Sequence, residues 1–115
     1  MKVFLRLQVG VKNDVEIRNK QRREGDTYVF QTQDYADSFA VWREGNRLTP
    51  KTVRFELKGE EIHVRGDNGN PDFVVTLTVD FLGDCRLVVG VQELAEWHVR
   101  KMALEDLFFK FPAGY

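Results

Sequence analysis

The sequence predicts a mainly antiparallel β-domain closed by a C-terminal helix, an α+β fold. Three observations lead to this prediction. Short stretches of alternating apolar and polar residues recur along residues 3–91, and alternation is typical of strands with one buried face. Brief segments rich in Gly, Asp and Asn separate many of these stretches, as hairpin turns would. After Gly90 the apolar residues change to helical spacing.

The first two strands are predicted near the N-terminus. Val or Leu occupies every second position of residues 3–11, and a period of two over this length indicates a strand. Residues 12–14, Lys-Asn-Asp, then offer a turn. Val15 and Ile17 alternate with polar neighbours, as in a short second strand. The chain is therefore expected to open with a β-hairpin.

Further strands are predicted between turn signals, each with β-branched or aromatic residues at alternate positions. The clearest loop is residues 66–72, which are rich in Gly, Asp and Asn. The seventh strand is expected to carry Phe81 on its apolar face. These later strands are predicted at residues 27–33, 39–43, 49–58, 61–65, 73–81 and 85–91.

The C-terminal helix is predicted to end at residues 112–114, Pro-Ala-Gly. Beyond Met102 its apolar stripe drifts, which indicates either a second packing surface or a bend near residues 103–105. The expected buried stripe consists of Leu94, Ala95, His98, Val99 and Met102.

About seven or eight short strands with brief connections predict a meander. It is expected to form either a bent sheet or a small barrel, capped by the helix. This layout is similar to the pleckstrin-homology-like fold, a bent antiparallel barrel plugged by a C-terminal helix that often carries a Trp. It is also similar to small lipocalin-like barrels, although their Gly-x-Trp near the first strand is absent. The resemblance covers residues 1–115, which are expected to form a single domain.

Composition narrows the classes of function. A net charge of −1 gives no overall attraction to nucleic acid or to a membrane surface. The one cysteine, Cys85, cannot form an internal disulfide, and there is no cysteine cluster to hold zinc. No secretory signal is evident at the start, and no apolar run approaches the ~20 residues of a membrane span. We expect a cytoplasmic protein without a cofactor.

Catalytic and metal-binding motifs are not evident, and no catalytic residue is assigned. His63 is expected to face outward from a strand and His98 to be partly buried on the helix. They could form a general base or metal site only if the fold brings them together. The loop at residues 66–72 offers oxygen ligands for calcium, but its spacing does not fit an EF-hand. A plain hairpin loop and a non-enzymatic protein are the favoured interpretations.

A basic run lies in the predicted first hairpin and the segment after it: Arg18, Lys20, Arg22 and Arg23. The pleckstrin-homology-like resemblance implies that such a run binds phosphoinositide head groups. The alternative is a solvated hairpin end or a charge-protected sheet edge. No aromatic residue interleaves the run, which disfavours nucleic-acid binding by base stacking.

The favoured hypothesis is a module that binds a protein partner. Tyr35 and Trp42 are predicted as its aromatic anchors, because exposed aromatic residues dominate many interfaces. Arg18, Arg22 and Arg23 are predicted as its charged rim. One alternative is a barrel that binds a small molecule or a lipid head group, and another is a small enzyme using His63 or His98. An unpaired sheet edge would also permit a homodimer.

Overall fold

The computed structural model describes residues 2–45 and 50–111, apart from the side chain of Asn68. Along the chain, one helix precedes the strands and a second helix follows them. A 3₁₀ turn at Asp67–Gly69 follows the fourth strand. The elements are α1 (Lys2–Lys20), β1 (Tyr28–Asp34), β2 (Ser38–Gly45), β3 (Lys51–Lys58), β4 (Glu61–Gly66), β5 (Asp72–Val79), β6 (Cys85–Val89), β7 (Gln92–Leu94) and α2 (Glu96–Phe109).

The seven strands form one antiparallel sheet in sequence order, from β1 to β7. The predicted α+β meander with a C-terminal helix is therefore confirmed. The sheet is not closed, because β1 and β7 are its edges and do not pair in the described part of the chain. The predicted eighth strand, residues 85–91, corresponds to β6, which ends at Val89. A turn at Gly90 follows, where φ is +63°, a conformation that favours glycine. The short strand β7 after this turn was not predicted.

The prediction of two strands within residues 2–20 is wrong, because these residues form helix α1. Between residues 3 and 11 apolar side chains are dense enough to fit both a period of two and a helical period. The helix buries Phe4, Leu7, Val11, Val15 and Arg18, a spacing of three or four residues. Leu5 and Val9, which the strand pattern would bury, are 49% and 59% exposed.

The open sheet and the N-terminal helix do not give the barrel expected from the pleckstrin-homology-like and lipocalin-like resemblances. No first hairpin exists to carry the basic run. Lys12, at the turn of the predicted hairpin, instead forms an ion pair with Asp34 at the end of β1. That pair ties α1 to the sheet, and the Lys12 hydrogen bond lowers the pKa of the Asp34 carboxyl.

Both helices cover the same face of the sheet. Phe4 of α1 lies 5.3 Å from Phe39 of β2, and Phe108 of α2 lies 5.0 Å from Phe30 of β1, measured between ring centroids. Full burial of each such side chain contributes about 1.5–3 kcal/mol. The largest fully buried side chains of the sheet are Phe30, Phe39, Phe55, Ile62, Val41, Val53, Val64 and Val75. The opposite face of the sheet, called the outer face below, is covered by neither α1 nor α2.

Helix α2 is unbroken through residues 103–105, and Ala103 and Leu104 are buried there. Of the predicted stripe, the helix buries only Val99, because Leu94 lies in β7 and the helix begins at Glu96. Neither helix, over the residues described, is long and apolar enough to cross a membrane. The buried side of α2 is Val99, Ala103, Leu104, Leu107 and Phe108.

Candidate binding surfaces

The tip of the β5–β6 hairpin presents apolar side chains to solvent. Phe81 is 96% exposed and Leu82 is 71% exposed. Burial falls along the preceding strand, from fully buried Val75 to exposed Val79, and the exposure of Phe81 and Leu82 continues this trend. The tip is therefore an exposed apolar turn whose side chains are not part of the core.

Hydrogen bonds to Asp80 close the turn at this tip. Asp80 Oδ1 accepts from the backbone N–H groups of Leu82 at 2.9 Å and Asp84 at 3.0 Å. Its Oδ2 accepts from Arg86 Nε at 3.0 Å and Nη2 at 2.8 Å. Gly83 takes the left-handed conformation that the turn needs, with φ at +87°. The turn is thus ordered by its own polar atoms, while its apolar side chains remain outside.

The same contacts shift the titration of the two charged groups. The hydrogen bonds from Arg86, followed by that from the Asp84 amide, hold the pKa of the Asp80 carboxyl below its usual value. The carboxylates of Asp80 and Glu93 raise the pKa of Arg86. Asp80 is therefore a carboxylate at neutral pH, and it is the ionised form that accepts all these hydrogen bonds.

A second candidate site is a cavity of about 350 Å³ between α1 and α2. Arg100 of α2 joins the two helices, since its Nη1 donates to the Asp14 carboxylate at 2.8 and 2.9 Å and to Gly10 O at 3.2 Å. The apolar walls come from both helices and are Ile17, Trp97, Leu104, Phe108 and Phe109.

Two buried arginines lie at the C-terminus of α2. Arg18 Nε donates to Phe108 O at 3.1 Å. Arg43 Nη1 donates to Leu107 O at 3.1 Å and to Lys110 O at 2.8 Å. Carbonyls at the end of a helix lack partners within the helix and carry partial negative charge, so cations there are favourable. Sequence reasoning identified Arg18 as a surface cation and did not identify Arg43.

The predicted aromatic anchors lie on the sheet side of the molecule. Trp42 is opposite Gln31 and Thr52 on the outer face, and its Nε1 donates to Glu44 at 3.1 Å. Tyr35 is exposed in the β1–β2 turn, with the Arg54 guanidinium 5.9 Å from its ring centre. Tyr35 and Trp42 remain predicted partner-binding residues.

The predicted charged rim lies elsewhere. Arg18 is only 8% exposed, because it lies on the buried side of α1. It is therefore on the opposite side of the sheet from Trp42. Arg22 Nη1 donates to the carbonyl of Tyr28, at the start of β1, whereas Tyr35 follows the end of that strand. Arg23 lines a cavity beside Tyr28. The three arginines therefore do not surround the aromatic pair.

The fold separates the two histidines. His63 lies on the outer face of β4, with Nε2 3.2 Å from Glu61 Oε1. His98 lies on α2, across the sheet, and its ring stacks on Trp97 at 5.2 Å. In the described residues no group of three or more His, Cys, Asp or Glu side chains could hold a metal ion. In the loop before β5, Asp67 accepts the Thr52 N–H at 2.9 Å, so it supports the neighbouring strand.

Phe81 and Leu82 were missed as surface residues because Phe81 continues the apolar alternation of the seventh strand. The available signal was the spacing of Asp80, Gly83 and Asp84, which is typical of a tight turn.

In comparisons with known proteins, no family model matches the chain, and no curated protein or solved structure matches it significantly.

Proposed function

We propose that this protein is a binding module that recognises a protein partner through the tip of the β5–β6 hairpin. The observation that supports the proposal is the exposure of Phe81 and Leu82 on a turn held by Asp80. Adjacent large apolar side chains that are exposed to solvent can mark a site of protein–protein contact. An ordered turn also loses little conformational entropy when it binds.

The expected contribution of the tip is substantial. Burying a Phe or a Leu side chain in a partner pocket contributes about 1.5–3 kcal/mol each. The charges around the tip favour a protein over a membrane surface. Asp80 and Asp84 outnumber Arg86, which also pairs with Glu93 at 2.5 Å. An anionic lipid surface attracts basic segments, and this tip is not one.

The test is affinity enrichment from extracts of the source cells with three forms of the protein. These are the natural chain, a Phe81→Asp/Leu82→Asp variant, and a Val91→Asp control. Val91 is a fully exposed apolar residue in another hairpin turn, between β6 and β7. We expect a protein that is retained by the natural chain and the control and lost by the double variant.

Equal retention of the same proteins by all three forms would contradict the proposal. Circular dichroism on each form checks that the fold is kept, which is expected because these side chains lie outside the core. If the tip-dependent partner is a second copy of this chain, the interaction is self-association, and sedimentation of the purified protein would detect it.

A further inference from the structure

We infer a second binding site, separate from the hairpin tip, at Arg18: a site for a small apolar molecule that carries one carboxylate. Two cavities adjoin at this residue. The first, of about 350 Å³, lies between the helices. The second, of about 420 Å³, lies between the end of α1 and the start of β1. Arg18, Gln21 and Phe109 line both cavities.

Arg18 is a cation largely removed from water, and the described residues supply it with no neutralising anion. It is 8% exposed, and among the described residues no carboxylate forms an ion pair with it. Its Nε binds Phe108 O, and its Nη2 donates to Tyr28 Oη at 3.2 Å. Buried charges are normally paired with opposite charges. An anionic ligand beside Arg18 would supply such a charge.

The Nη1 group of the guanidinium is available for a further hydrogen bond. Arg18 Nη1 donates no hydrogen bond to the described residues. It is also not one of the fully buried nitrogen atoms without a hydrogen bond, so it can be reached from the cavity. The guanidinium carbon lies 5.2 Å from the ring centre of Phe30 and 5.0 Å from that of Phe109. These rings fix the cation in place and supply apolar surroundings beside its free edge.

Arg43 shows what distinguishes Arg18 from a purely structural arginine. Both are buried, and both bind carbonyls at the end of α2. Arg43 bonds two of those carbonyls and lines neither cavity. Arg18 binds one carbonyl and borders both cavities. Capping the helix therefore explains the position of Arg43 and leaves the position of Arg18 only partly explained.

The charges of the cavity walls indicate a ligand with a single negative charge. Among the described residues of the walls, each charged side chain apart from Arg18 has an opposite counterpart: Arg100 and Asp14, Lys101 and Glu105, and Arg23 and Asp26. The net charge of the described lining is then +1. A carboxylate matches both this charge and the planar guanidinium, whereas a phosphate dianion would leave one negative charge uncompensated near three carboxylates.

The apolar part of the ligand would lie between the helices. Ile17 and Trp97 form exposed walls there, and Leu104 and Phe108 form a buried floor. A volume of about 350 Å³ lies at the lower end of the usual range for ligand pockets, roughly 300–1,000 Å³. A medium-chain fatty acid or an aromatic acid has the required chemistry.

The test measures binding of decanoate, with decanol as a neutral probe of the same length. Trp97 lines the cavity, so a Trp42→Phe background leaves it as the only tryptophan reporter. We expect saturable binding of decanoate that changes Trp97 fluorescence, with decanol weaker by roughly tenfold or more. Arg18→Met should weaken decanoate to the level of decanol. Arg54→Met removes one positive charge from the outer face and should leave decanoate binding unchanged.

Equal binding of decanoate and decanol would overturn the inference, as would the absence of saturable decanoate binding. Unchanged decanoate binding by a folded Arg18→Met variant would also overturn it. If that variant does not fold, the inference is tested by comparing decanoate and decanol binding to the protein that keeps Arg18. Arg18→Lys then provides a second variant. Arg18→Lys keeps the charge but loses the planar pair of donors, so it should bind decanoate more weakly than Arg18 and more tightly than it binds decanol.

Discussion

Asn19 gives a sharp test of the packing between α1 and the sheet. Its side chain acts as a short piece of strand along the free edge of β1. Asn19 Nδ2 donates to Phe30 O at 2.9 Å, and the Phe30 N–H donates to Asn19 Oδ1 at 2.9 Å. Replacing Asn19 by Ala removes both hydrogen bonds and leaves two partly buried backbone groups without these partners. We expect this substitution to destabilise the fold.

The magnitude follows from two opposing terms. Each lost hydrogen bond costs about 1 kcal/mol, and more where the remaining group is shielded from water. Ala has a higher helix propensity than Asn, which returns about 0.5 kcal/mol. The free energy of unfolding should therefore fall by about 1.5–2 kcal/mol, with a decrease in Tm of roughly 6–12 °C for a domain of this size.

The matched control is Asn13→Ala, the same change on an exposed position of the same helix. Helix propensity alone should make that variant slightly more stable, by about 0.5 kcal/mol. Urea unfolding followed by circular dichroism measures both variants. The account predicts opposite signs for Asn19→Ala and Asn13→Ala. An Asn19→Ala variant that is as stable as the natural protein would refute the proposed strand-like role of Asn19.

Three further predictions concern the core, a turn and acid titration. Leu107→Ala should lower the free energy of unfolding by about 3 kcal/mol, measured by urea unfolding, because Leu107 is fully buried among the helices and strands. Gly66→Ala should cost about 3 kcal/mol in the same assay, since the added Cβ would lie 2.2 Å from Asn70 O. The Asp80 carboxylate, whose pKa is lowered, should support the tip fully above the ordinary Asp pKa of about 3.9 and lose its effect as the pH falls through the lower folded value. The amide NMR signals of Leu82 and Asp84 should therefore be constant from pH 7 to about 5 and move only below pH ~4, and Asp80→Asn should abolish that transition. Movement near pH 6 would contradict the assignment.

The central strands could be predicted because each has one buried face. In β3, Val53 and Phe55 are buried while Arg54 between them is exposed, so alternation in the sequence matches alternation in space. The turns between strands also carry recognisable residues, such as the Gly59 turn with φ at +62°. Strand order then follows, because short connections join neighbouring antiparallel strands.

The N-terminal helix could not be predicted from local pattern. Its first half is dense in Val and Leu, which are compatible with a strand, and Val is a poor helix former. The helical outcome depends on long-range contacts such as Phe4 with Phe39 and Arg100 with Asp14. These contacts join residues far apart in the sequence, and a single sequence does not show them.

The candidate sites were missed for related reasons. The strand pattern through Phe81 indicates a buried side chain, but β5 ends at Val79 and Phe81 lies in the exposed turn that follows. Arg18 belongs to a run of cations that is typical of a solvated surface. Its burial depends on the aromatic rings of Tyr28, Phe30 and Phe109 around it, which β1 and α2 supply from separate parts of the chain.

Photo-crosslinking in the source cells tests the proposed partner-binding tip most directly. A photoreactive amino acid replaces Phe81 in one form of the protein and Trp42 in the other, so that the hairpin tip and the outer face of the sheet are compared in the same cells. The account predicts a protein adduct of defined mass from position 81 and none of that mass from position 42. An adduct from position 42 alone would contradict the account and favour the outer face as the binding surface.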